Sequence, residues 1–109
     1  MKDDYIRRAT VNRVIDGDTV DLDIDLGFSI HIAERVRVAG IDAPETRTSV
    51  LSEKRAGQLA FQYAQSLLPV GSTVTLQTVK SSEKFGRYLA KITLADGRDF
   101  ATEMLATGN

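Results

Sequence analysis

The stretch Asp16-Gly17-Asp18-Thr19-Val20-Asp21-Leu22-Asp23-Ile24-Asp25-Leu26 decides the fold. From Thr19 onward Val20, Leu22, Ile24 and Leu26 share one face while Asp21, Asp23 and Asp25 share the other, the period of a half-buried strand with an acidic outer surface. Upstream, Asp16-Gly17 is a hairpin-turn signal closing a first β-favouring strand from Tyr5 to Ile15. Downstream, Gly27 turns the chain, and Ile30, Ile32, Val36 and Val38 take one parity while His31, Arg35 and Arg37 take the opposite one. That parity predicts that Arg37 points away from the apolar core.

Gly40 ends the third strand, and Ile41-Asp42-Ala43-Pro44-Glu45-Thr46 reads as a loop because proline pushes the residue before it out of the helical region. Ser52 can cap a helix over Glu53–Leu67, whose apolar face carries Ala56, Leu59, Ala60, Tyr63 and Leu67 and which ends before Pro69 and Gly71. Thr73–Val79 and Tyr88–Leu94 read as fourth and fifth strands around a polar loop, Ser81–Arg87, and the parity of the fifth groups Tyr88, Ala90, Ile92 and Leu94. Asp96-Gly97 is a turn, and Phe100–Ala106 is a candidate short closing helix. Three strands, a helix and two strands make a mainly β, α+β domain spanning 1–109, whose small antiparallel sheet must close or stack to hide its edges. A five-stranded OB-fold barrel suits that order; an SH3-like barrel or an open sheet on one helix has the same periodicity.

The 109 residues contain no cysteine and a single histidine, His31, which removes disulfides, zinc fingers and thiol nucleophiles. Hard-cation chemistry through oxygen ligands stays open. A net charge of −1 argues against general adhesion to nucleic acid, so phosphate recognition has to be local. No apolar signal-peptide core follows Met1, which reads as a cytoplasmic chain with secretion left open. No stretch reaches membrane-spanning length, and a monomer is the working assumption.

Asp16 and Asp18 at the first turn, Arg37 on the third strand, Asp42 and Glu45 in the Pro44 loop, and Arg87 before the fifth strand are the polar residues at loops and strand ends where catalytic groups sit. Singly, each has a bland reading: Asp16-Gly17-Asp18 as a hairpin turn, Asp42 and Glu45 as a turn leading into a helix, the arginines as solvated surface. His31 reads as an exposed strand residue, and Asp21, Asp23 and Asp25 as a solvated edge or a weak cation site. Tyr63 and Tyr88 suit base stacking, but their parity favours core roles.

Taken together, Val14-Ile-Asp-Gly-Asp-Thr-Val20, Arg35-Val-Arg-Val-Ala-Gly-Ile-Asp-Ala-Pro-Glu-Thr46 and Lys84-Phe-Gly-Arg-Tyr-Leu89 resemble the thermonuclease family, the staphylococcal-nuclease-like enzymes, over almost the whole chain. The resemblance implies an OB-fold barrel of that family's type. It also implies a Ca²⁺ site from the Asp18 and Asp42 carboxylates and the Ala43 carbonyl, with Asp16 acting through water. Arg37 and Arg87 are implied to bind phosphate, and Glu45 is the best available general base for the attacking water. The implied reaction cleaves single-stranded or locally opened DNA or RNA to 3′-phosphate products. Family members continue past the segment matching Phe100–Ala106 into a further helix, whereas this sequence ends at Asn109. Two other classes compete: a non-catalytic OB module binding nucleic acid or protein, which should lack some of these charged residues, and a structural cation-binding barrel, which leaves Arg37 and Arg87 unexplained.

Overall fold

The computed structural model describes residues 6–41, 51–82 and 88–106. Strands β1 (Ile6–Asp16), β2 (Thr19–Gly27) and β3 (Ile30–Val38) form an antiparallel meander, followed by α1 (Leu51–Leu67), β4 (Thr73–Ser82), β5 (Tyr88–Thr93) and α2 (Phe100–Ala106). The strands close in the order β1-β2-β3-β5-β4. All neighbours are antiparallel except β3 and β5, which run parallel over Val36–Val38 and Tyr88–Ala90. Of the barrels the strand order allowed, this closed OB-like one with two helices is the one formed.

Parity sorts the side chains as the alternation requires. Val20, Leu22 and Ile24 of β2 and Val36 and Val38 of β3 face the interior with Val11, Leu76 and Ile92. The outer face of the hairpin is less purely acidic than its sequence suggests, because register neutralises it. Arg35 lies directly opposite Asp21 and donates from Nε and Nη2 to its two carboxylate oxygens at 2.8 and 3.2 Å. This hydrogen bond, backed by the Asp21 charge, raises the Arg35 pKa. His31 Nδ1 sits 3.2 Å from Asp23, and Asp25 accepts the Gly27 N–H at 2.8 Å.

Four expectations need correction, the strand ones because periodicity reports which way a side chain points, not whether anything lies there. Leu26, Ile30 and Ile32 keep the inward parity yet are exposed, because the β2–β3 hairpin runs on past the body of the barrel. Tyr88, at the start of β5, is 48% exposed rather than in the core. On α1 the buried residues are Gly57, Ala60 and Ala64, small ones that let the helix approach β1 closely, with the larger Leu68 buried just beyond its end. Leu59, about 100° round the helix from Ala60, is 61% exposed. Ser52 lies inside the helix rather than capping it. Tyr63 and Leu67 do pack against the core.

At the hairpin tip Phe28 and Ser29 have φ of 55° and 62°, a two-residue turn whose left-handed conformations suit asparagine and glycine rather than a bulky aromatic. Phe28 is 99% exposed, so no packing offsets that strain. Replacing Phe28-Ser29 by Asn-Gly is expected to raise the unfolding free energy by about 1 kcal/mol, read as a higher urea midpoint at unchanged slope.

Candidate active site

Gly17 and Asp18 form the tight turn between β1 and β2, closed by the Asp16–Thr19 pair. The turn is pinned from the far side by β3, where the Val38 N–H donates to the Asp18 carbonyl at 2.8 Å. One residue earlier on β3, Arg37 stands opposite Thr19 with its side chain on the outer face, as its parity predicts. The hairpin register therefore brings Asp18 and Arg37 together although they are far apart in sequence.

Asp18 is only 7% exposed, an unusual place for a carboxylate, which is tolerated in a fold when neighbours replace its water. The Thr19 hydroxyl donates to Oδ1 at 3.0 Å, and Arg37 Nε stands 3.6 Å from Oδ2. The second distance is longer than a hydrogen bond, so the arginine acts on the carboxylate through its charge. At such a separation the attraction is about 4 kcal/mol for an effective dielectric of 20, before the desolvation of both ions is subtracted. Arg37 also directs Nη2 at the Ile41 carbonyl, 3.5 Å away, across the Gly40 turn. Gly40 has φ of 90°, a conformation that costs any residue with a β-carbon, and it bends the chain so that Ile41 is buried beside the strand end.

Asp16 is half-buried beside the turn, and its charge is among the smaller causes raising the Arg35 pKa. Asp18, Arg37 and Asp16 thus share one end of the β1–β2–β3 meander. Asp42, Ala43, Glu45 and Arg87 lie outside the described residues. Their bonded neighbours Ile41 and Tyr88 are described: Ile41 receives Arg37, and Tyr88 pairs with Val36, adjacent to Arg37. Among the described residues no three carboxylate or imidazole groups converge on one cation position. The donors present at this end are carboxylate oxygens and a carbonyl, which suit a hard cation, while His31 is engaged with Asp23 on the outer face of the hairpin. Thr19 was not singled out from sequence; its signal was a hydroxyl directly after an aspartate at a strand start.

Residues 35–109 match the staphylococcal nuclease homologue family. The chain is 30% identical, over 95% of its length, to the uncharacterized lipoprotein MG186 of Mycoplasma genitalium, covering 44% of that protein. It is 36% identical to the thermonuclease of Staphylococcus intermedius over 79% of this chain and 48% of that one. To the endonuclease YhcR of Bacillus subtilis it is 28% identical over 90% of its length, which is 8% of that protein. The chain thus spans less than half the length of each of these relatives.

Because Thr19 supplies the donor that holds a buried carboxylate, Thr19→Val should lower stability by about 1–2 kcal/mol in chemical denaturation, and Thr19→Ser, which keeps the hydroxyl, should recover most of it. With its buried Asp18 beside Arg37 at the mouth of a closed five-stranded barrel, and with the match over residues 35–109, this chain belongs to the staphylococcal nuclease homologue family.

Proposed function

We propose that this domain hydrolyses phosphodiester bonds of DNA and RNA with the help of Ca²⁺. The observation that carries the reading is the buried Asp18 held by Thr19 and set beside Arg37, in a chain whose family includes a thermonuclease and an endonuclease. A phosphodiester carries one negative charge and gains a second as water attacks phosphorus, so most of the catalytic task is to place positive charge and hold the reactants.

Asp18 and Asp42, with the Ala43 carbonyl, would hold the cation, and Asp16 would support it through water. The cation supplies charge neutralisation at a phosphate oxygen. Arg37 is already drawn toward Asp18 by charge, and its planar fork, together with that of Arg87, binds the remaining phosphate oxygens as the charge grows. Glu45 orients the attacking water and takes its proton. The water oxygen bonds to phosphorus, the bond to the 5′ oxygen breaks, and that oxygen takes a proton from solvent while Glu45 returns its own to solvent, giving a 3′-phosphate and a 5′-hydroxyl. The net charge of −1 leaves little general attraction for nucleic acid, so affinity comes from these local groups, and single-stranded or locally opened substrate best reaches them.

Incubation with denatured DNA and with RNA, in Ca²⁺ or in chelator, tests this beside Glu45→Gln, Arg37→Ala and Arg87→Ala. Cation-dependent cleavage leaving 3′-phosphate ends is expected, reduced about 10²–10³-fold or more in each arginine variant. A folded protein that binds single-stranded DNA yet cleaves nothing with any divalent cation would instead be a binding module on the same barrel.

A further inference from the structure

β3 carries two arginines that each stand beside a carboxylate, and they hold it differently. Arg35 grips Asp21 through two hydrogen bonds, at 2.8 and 3.2 Å. Arg37 meets Asp18 with Nε 3.6 Å from Oδ2, a separation at which charge acts but no directional bond forms. The Asp18–Arg37 pair is nevertheless the more enclosed one, each of its side chains being at most half as exposed as its counterpart in the Asp21–Arg35 pair. The tight pair lies where water could replace it, and the longer contact lies where water is scarce.

A carboxylate so enclosed needs its charge answered from within the protein. The Thr19 hydroxyl answers Oδ1 with a dipole, and Arg37 answers Oδ2 with a full charge. A divalent cation on the same carboxylate brings twice that charge and is itself repelled by the guanidinium. With no hydrogen bond between Nε and Oδ2, one positive group can give way to the other without breaking a directional contact in the pair.

We propose that Arg37 is the counter-ion of Asp18 in the cation-free protein, and that arginine and cation compete for this carboxylate, so that loading the cation turns the Arg37 charge over to phosphate. The inference rests on the reading of Asp18 as a cation ligand given above. It makes the order of assembly depend on one side chain: without the cation the charge of Arg37 is engaged by Asp18, and with it that charge is available to a phosphate oxygen. The rival account makes Arg37 a fixed strut between Asp18 and the Ile41 carbonyl, toward which Nη2 points from 3.5 Å. The two accounts differ in sign. Removing the charge strengthens cation binding if the groups compete, whereas removing a strut loosens the site and weakens it.

Calorimetric titration with Ca²⁺, in the absence of nucleic acid and near neutral pH, separates them in the unsubstituted chain, Arg37→Lys and Arg37→Gln. Both variants lose the planar fork and its reach to Ile41, and they differ in charge. Arg37→Gln is expected to bind Ca²⁺ about tenfold more tightly than Arg37→Lys. Thermal unfolding gives a second readout. Arg37→Gln leaves the enclosed Asp18 without its partner charge, so Ca²⁺ should raise its midpoint further above the value in chelator than it does for Arg37→Lys. Should Arg37→Gln be unfolded in chelator, refolding driven by Ca²⁺ reads the same difference. Binding by Arg37→Gln that is equal to or weaker than that of Arg37→Lys would overturn the competition alone, leaving the cation site in place. A folded, unsubstituted chain that takes up no Ca²⁺ would overturn the cation reading and this inference together.

Discussion

β3 is held on both edges at one place, and the rest of the architecture depends on that. Val38 is tied to the β1–β2 turn through the Asp18 carbonyl, and the next residue, Ala39, is tied to β5 through Ala90. The first bond fixes the meander and the second turns the sheet into a barrel. Because the short parallel contact between β3 and β5 sits beside the Asp18 turn, the closure that completes the core also fixes where Arg37 stands. Core and candidate site are two faces of the same strand, with Val36 and Val38 buried and Arg37 between them pointing outward.

The charge pattern is economical in a chain with so little net charge. Asp21, Asp23 and Asp25 each meet a partner within the hairpin, from Arg35, His31 and the Gly27 N–H in turn, while the more deeply buried Asp18 accepts from the Thr19 hydroxyl and has Arg37 Nε 3.6 Å away. Arg35, in contrast, is committed to Asp21 by two hydrogen bonds. Two arginines separated by one residue thus have different occupations, set by whether the opposing residue of β2 is Asp21 or Thr19.

Much of this was legible in the sequence because the strands are half-buried and period two is hard to mistake. The order of elements, the parity of Arg37 and the tight turn at Asp16-Gly17-Asp18 all follow from residues close in the chain. What escaped depends on how far each element extends relative to its neighbours. Leu26, Ile30 and Ile32 have the pattern of core residues and lie on the right face, but among the described residues no strand or helix covers them. On α1 the pattern found Ala60 but passed over Gly57 and Ala64, small residues that a search for large apolar side chains undervalues while overvaluing Leu59. The approach of Arg37 to Asp18 could be foreseen only from motif resemblance, since it requires the hairpin register and the Asp18–Val38 tie together. The Thr19 contact required knowing that Asp18 is buried.

The parallel seam between β3 and β5 joins segments about fifty positions apart, while the β1–β2–β3 meander is linked by two-residue turns. Closing so long a loop costs far more chain entropy than zipping a hairpin, and a three-residue ladder returns little until the helices and β4 have already collapsed around it. The meander is therefore suited to early formation and the seam to a late step in folding. A chain caught between these stages has its meander and its acidic turn, but Tyr88 has not yet been brought beside Val36. The Asp18–Thr19–Arg37 group is thus complete within the part of the chain that folds first, while the contact of Arg37 with Ile41 and the seating of Tyr88 beside Val36 wait for the seam.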